Sequence, residues 1–255
     1  MTEEKKKNEE INKDMNIKEE KDHKDKKHNK NKETEDDRLL FLQPLPKSKK
    51  MIGGAAISVK QINDETMHML ELAYENVNQA FGQLLQFSDK IDEQIYKRED
   101  TVNYLDKVIS EYISTALATP NLNVNISQAL SSYYLMLVDI ERISDYAVNM
   151  NHQATKRLQG DMTISEIEIV EHMKKLCVDM KNDLSDVEEA ERKDDVIDSL
   201  VSSWREAQIQ ALKQQKCSSE VSMMLSRIFT DFERINDHAL NVSQEFDKIN
   251  IEIPE

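Results

Sequence analysis

The chain has 255 residues, 34 basic against 49 acidic, a net charge of −15 and 38% hydrophobic residues. That length allows one large domain or two small ones, and the acidic excess excludes a nucleic-acid-binding surface as its main business and makes cations the natural partners. With only four glycines and four prolines, long uninterrupted helices are expected and an all-β fold is not.

Residues 1 to 37 are Lys, Glu, Asp and Asn with little that is apolar beyond Ile11, Met15 and Ile17. Such a stretch buries too little surface to offset the entropy of ordering, so it reads as a disordered charged tail. Residues 38 to 60, with Pro44, Pro46 and Gly53-Gly54, read as an extended linker.

From about Val59 to Phe87 the residues Ile62, Met69, Leu72, Ala73, Val77, Ala80 and Leu84 keep a helical period. Ser88-Asp89 can cap a second helix that runs through Ile95, Val102, Leu105 and Ile113 to about Ala118, where Pro120 and an Asn-rich stretch break it. Ser127 can cap a third helix that ends near Gly160. The plan then repeats: Ser165 to Glu168 reads as a capping box opening helix four, Ser185 to Glu188 as one opening helix five, and Ser218-Ser219 as the cap of helix six. Two tandem three-helix bundles, residues 61–160 and 161–255, are the economical all-α fold, because each apolar stripe needs at least two partners to leave water.

The duplication is sharpest in helices three and six. Asp139-Ile-Glu-Arg-Ile-Ser-Asp-Tyr-Ala-Val-Asn149 returns as Asp231-Phe-Glu-Arg-Ile-Asn-Asp-His-Ala-Leu-Asn241. At about 100° per residue, Glu141, Asp145 and Asn149 share one side of a helix while Ile140, Ile143, Ala147 and Met150 line the other. The second copy sets Glu233, Asp237 and Asn241 opposite Phe232, Ile235, Ala239 and Val242. A second acidic pair precedes each copy: Glu99-Asp100 with Asn103 in helix two, Asp194-Asp195 with Asp198 in helix five. In the second half Asp194, Asp198, Glu233 and Asp237 can meet as four hard oxygen donors suited to iron, manganese, magnesium or zinc. The competing reading is a solvated acidic face with carboxylates splayed into water.

The doubled Glu-Arg-Ile-x-Asp-x-Ala pattern, at Glu141 to Ala147 and Glu233 to Ala239, resembles the PhoU family of phosphate-uptake regulators over about residues 61 to 248. The resemblance implies two three-helix bundles related by an internal repeat, and no enzymatic activity. It implies metal sites on acidic faces, with ligand roles carried onto Asp194, Asp198, Glu233, Asp237, Glu99, Glu141 and Asp145. Asn103 stands where the first half would need its second acid, so that site is expected to be weaker or empty. Ser144 and Asn236 occupy positions where the family often has Gly. The stretch Asp37-Arg38-Leu39-Leu40 with Pro44 is similar to the connector before the cytoplasmic tail of bacterial sodium/phosphate cotransporters.

The expected function is regulation of phosphate uptake through protein contacts, with a phosphate transporter or phosphate-signalling protein at the membrane as partner, and a homodimer as a further assembly. The alternatives are a metal-free helical interaction scaffold and a carboxylate-bridged metal enzyme; Glu65-Thr-Met-His68 has the Glu-x-x-His spacing the enzyme needs but lacks a matching partner. Arg142 and Arg234 are expected in intrahelical ion pairs, and Trp204, Met223 and Met224 in core or interface packing. Cys177 and Cys217 form no CxxC or Cys/His cluster and read as free thiols of a reducing cytosol. No signal peptide and no membrane-spanning stretch is expected, so the chain is placed in the cytoplasm, peripheral to the inner face of the membrane through a partner.

Overall fold

The apolar periodicity forms six helices: α1 (Ile52–Leu85), α2 (Asp89–Leu117), α3 (Val124–Lys156), α4 (Ile164–Asn182), α5 (Val187–Lys213) and α6 (Ser219–Asp247). The computed structural model describes residues 52–156 and 162–249, and of residues 52–58 the backbone alone; no strand occurs among the described residues. The charged tail, the start of the linker and the cotransporter-like stretch lie outside them.

Helix α1 starts at Ile52, inside the segment read as an extended linker. Gly53-Gly54 lowers helix propensity by about 1 kcal/mol per residue, but unlike proline it does not break the backbone hydrogen-bond ladder, and no proline follows Pro46 before the helix. Three caps also differ. Helix α3 begins at Val124, ahead of Ser127. The box that opens α4 is Thr163 with Glu166: Glu166 N donates to Thr163 Oγ1 at 3.4 Å and Thr163 N to Glu166 Oε2 at 2.7 Å. Helix α5 is capped by Asp186, whose side chain accepts from Glu189 N at 3.1 Å. At α4 and α5 the sequence holds two overlapping capping patterns, and the helix opens on the other one. Ser218 caps α6 as expected, accepting from Val221 N.

Helices α1, α2 and α3 form one three-helix bundle and α4, α5 and α6 a second, less closely knit one. The bundles join through like helices, α1 on α4 and α3 on α6, and the α3–α6 contact is more extensive than any between helices inside the second bundle. The two signature helices therefore form the spine of the molecule. The apolar faces read from the sequence meet there: Ile140, Ile143, Ala147 and Met150 of α3, and Phe232, Ile235, Ala239 and Val242 of α6, are all buried. Phe81 of α1 meets Phe232 edge-on at 6.2 Å, and Trp204 of α5 lies against Phe229 and Phe232. Met223, expected in packing, is 62% exposed.

One buried polar network ties the first bundle together. Asn76 of α1 donates to the Ile95 carbonyl of α2 and to Ser144 Oγ of α3, each at 3.2 Å, and accepts from Arg98 at 2.7 Å. Ser144 is thus a third anchor inside the bundle. Its counterpart Asn236 turns back on its own helix, donating to the Phe232 carbonyl at 2.9 Å.

Candidate functional site

The acidic faces lie along the seam between the second and third helix of each bundle. In the first, Glu99 and Asp106 of α2 stand near Glu141 and Asp145 of α3. Burial, followed by the Asp145 charge, pushes the Glu141 carboxyl above its usual range; Arg142 opposes this while Asp106 and Glu99 add to it. Glu99 is raised by burial, with Asn103 opposing and Asp100 and Asp145 adding. Asp145 is likewise raised by burial against the pull of Arg142, and Asp106 by burial against a bond from Ser110. Asn103, the residue in the acid's place, donates to Glu99 at 2.5 Å and so serves its neighbour on α2.

In the second bundle Asp194 is pushed up to about 6, first by burial and then by the charges of Asp198, Asp237 and Asp195. Its Oδ1 is buried and has no hydrogen-bond partner. Carboxylates crowded in this way either take up a proton or a cation. Glu233, however, is engaged: Arg205 of α5 reaches across to Glu233 Oε2 at 2.5 Å, Thr230 Oγ1 at 3.1 Å and the Ser226 carbonyl at 3.4 Å. The same guanidinium lies over the Phe229 ring, 5.7 Å from its centroid. Asp237 pairs with Arg234 at 3.2 Å, matching Arg142 with Asp145 at 3.4 Å, so the expected intrahelical pairs are present in both copies.

The structure therefore brings Asp194, Asp198 and Asp237 into one field and Glu99, Glu141 and Asp145 into another, while Glu233 is held by an arginine. As the side chains stand, no three His, Cys, Asp or Glu groups among the described residues are arranged to hold one metal ion. The unpartnered Asp194 oxygen, in the field of Asp198 and Asp237, is a hard donor of the kind a cation takes.

Sequence reasoning missed Asp106 and Arg205, though each follows a chosen residue by seven, Glu99 and Asp198 respectively, and so returns to the same helix face. It also missed the seam between the signature helices. His238 Nδ1 lies 2.7 Å from Asp139 Oδ1, Asn241 donates to the same oxygen at 3.1 Å, and the Tyr146 ring stacks on His238 at 5.7 Å. Cys177 is buried and, like Cys217, free. No helix among the described residues is long and apolar enough to cross a membrane.

Two three-helix bundles joined through a repeated acidic helix define a class of duplicated all-α proteins. The PhoU domain model matches this chain twice, over residues 66–154 and 165–246, and the chain belongs to that family. It is 24% identical over 196 residues to the phosphate-specific transport system accessory protein PhoU homolog 1 of Thermotoga maritima, covering 72% of this chain and 83% of that one. Its fold matches the phosphate transport system regulatory protein PhoU of Streptococcus pneumoniae with a TM-score of 0.68 at 19% identity, over 76% of this chain and 96% of the other. PhoU of Pseudomonas aeruginosa matches with a TM-score of 0.64 at 18% identity, over 76% and 97%.

Proposed function

We propose that this protein regulates phosphate transport by contact with a phosphate transporter or phosphate-signalling protein at the membrane, and that its second acidic face binds a divalent or trivalent metal ion. The observation that carries the regulatory half is the double match to the PhoU domain across both bundles. The metal half is supported by Asp194, whose buried oxygen lacks a partner beside Asp198 and Asp237. A bound iron, manganese, magnesium or zinc ion would supply the positive charge this group lacks. Asp194, Asp198 and Asp237 would hold it, and Glu233 would join after release from Arg205. In the first bundle Glu99, Glu141 and Asp145 form a weaker counterpart, because Asn103 brings no charge.

Deletion of the gene in its host, followed by radiolabelled phosphate uptake at high external phosphate, tests the first half: uptake that is no longer restrained, and is restrained again by the parent gene, is the expected result. Elemental analysis of the purified protein beside an Asp194→Asn/Asp237→Asn variant, after exposure to each metal, tests the second. Metal in neither protein leaves a metal-free interaction scaffold, a reading that the Arg205–Glu233 pair favours.

A further inference from the structure

The two bundles treat the same place differently. On α6, Arg205 crosses from α5 to cover the strip formed by Ser226, Thr230 and Glu233. The corresponding strip on α3 is Tyr134, Val138 and Glu141, and the residue of α2 that corresponds to Arg205 is Ser110, whose hydroxyl reaches only Asp106 at 3.4 Å. Nothing crosses. Tyr134 is left 43% exposed and Val138 46%, with Leu135 beside them at 49%. Three large apolar side chains on adjacent turns of one helix, bordered by carboxylates, are a surface that a monomer gains nothing by exposing.

The charges around the strip say what would cover it. Glu141 has Arg142 of its own helix at 3.6 Å as its ion pair, against Glu99, Asp106 and Asp145 as neighbouring acids. On α6 the Arg205 side chain meets this demand, giving its donors to Glu233 and Thr230 and its flat face to Phe229. We propose that the exposed strip Tyr134, Leu135 and Val138 of α3, with Glu141 at its edge, docks a helix of a partner protein that lays apolar side chains on the strip and places an arginine on Glu141, as Arg205 is placed on Glu233. Arginine fits better than lysine, because a planar guanidinium can donate to Glu141 while its flat face lies on the apolar strip. This deepens the protein-contact half of the proposed function and rests on it; it does not depend on the metal half.

The test uses the full chain and a fluorescent amphipathic peptide of about 18 residues, five turns of helix, with a Leu/Val row edged by two arginines. A scrambled peptide of equal composition and one with citrulline for arginine serve as controls. Anisotropy is read at about 0.15 M salt, where long-range attraction to the acidic chain is screened. The expected result is binding of the arginine helix, weakened about tenfold or more by Glu141→Gln, the scale of a lost charge-assisted bond, and unchanged by Glu233→Gln. Ser110→Arg should fill the place from within, raise the melting temperature and block the peptide. Equal binding by Glu141→Gln or by the scrambled peptide, or no binding at all, would overturn the proposal. So would a concentration-dependent dimer in ultracentrifugation that Val138→Asp dissolves, since the strip would then be covered by a second copy. Phosphate uptake measured in the deletion host separates these failures from failure of the regulatory reading itself.

Discussion

Asp139 and His238 meet at 2.7 Å across the two halves of the duplicated chain, each on the signature helix of its own repeat. The contact is not mirrored, because Tyr146 stands where a second histidine would be and stacks on His238 instead. Asp139 also accepts from Asn241 at 3.1 Å, so one carboxylate gathers two donors from α6. Both partners are largely buried, at 21% and 15% side-chain exposure, which places the pair above the surface ion pairs that contribute little.

Asp139→Ala should therefore lower stability by about 1–3 kcal/mol, since it leaves the largely buried His238 without its partner, while water can replace it at the exposed Asn241. Urea unfolding of Asp139→Ala, His238→Ala and the double variant forms a cycle. The double variant should cost less than the sum of the singles; strict additivity would mean that the contact does not couple the bundles.

Asn76→Ala removes the side chain that ties the Ile95 carbonyl, the Ser144 hydroxyl and Arg98 together; Arg98 keeps only its bond to Gln79 Oε1 at 3.2 Å, and the Ser144 hydroxyl loses its donor. Asn76 is fully buried, so water cannot replace it without rearrangement, and a loss of about 2–4 kcal/mol is expected. Asn76→Asp should be no rescue, because it cannot donate to the carbonyl. Thermal melts of both variants check this, and a melting temperature within error of the parent would show that the network is not a structural tie.

These two cases mark what was legible in the sequence. The apolar stripes, the six helices and the duplicated signature follow from spacing along one chain, because helix geometry alone sets which residues share a face. Aligning the two halves grouped Asp194 with Asp237, whose charge does act on it, while Glu99 and Asp145, also neighbours in charge, were grouped through the family resemblance. Contacts between helices carry no such period. Neither the reach of Arg205 to Glu233 nor the meeting of Asp139 with His238 has a signature within either helix, and the Glu/Asp motif read alone made Glu233 look free. Overlapping caps at Thr163 and Ser165 differ by a fraction of the energy that tertiary packing commands.

Two carboxylates raised chiefly by burial shape the pH dependence. Asp194 and Asp231 are each pushed up to about 6, both chiefly by burial, from an ordinary 3.8. A raised carboxyl is favoured by the fold in its protonated form. Its stabilising contribution is complete below about pH 4, is lost as pH rises through about 6, and stays lost at neutral pH. Asp231→Asn should accordingly raise the melting temperature at pH 7.5 and leave it nearly unchanged at pH 4. Melts from pH 4 to 8 check this; a parent that gains stability steadily from pH 4 to 7 while the variant follows the same curve would contradict it.

Arg205 sets the competition at the second acidic face. While its guanidinium holds Glu233, the proposed metal group is limited to Asp194, Asp198 and Asp237, three carboxylates where four can be mustered. Arg205→Gln removes the positive charge and releases Glu233 toward the others, which adds a ligand and deletes a competing cation at once. Loss of the partly exposed ion pair itself should cost about 1 kcal/mol, so the variant should stay folded. The expected outcome is tighter manganese retention by Arg205→Gln than by the parent, abolished when Asp194→Asn is added, with equilibrium dialysis as the measurement. Unchanged retention in Arg205→Gln would mean that Glu233 is no ligand, and that the arginine is there to close the seam between α5 and α6.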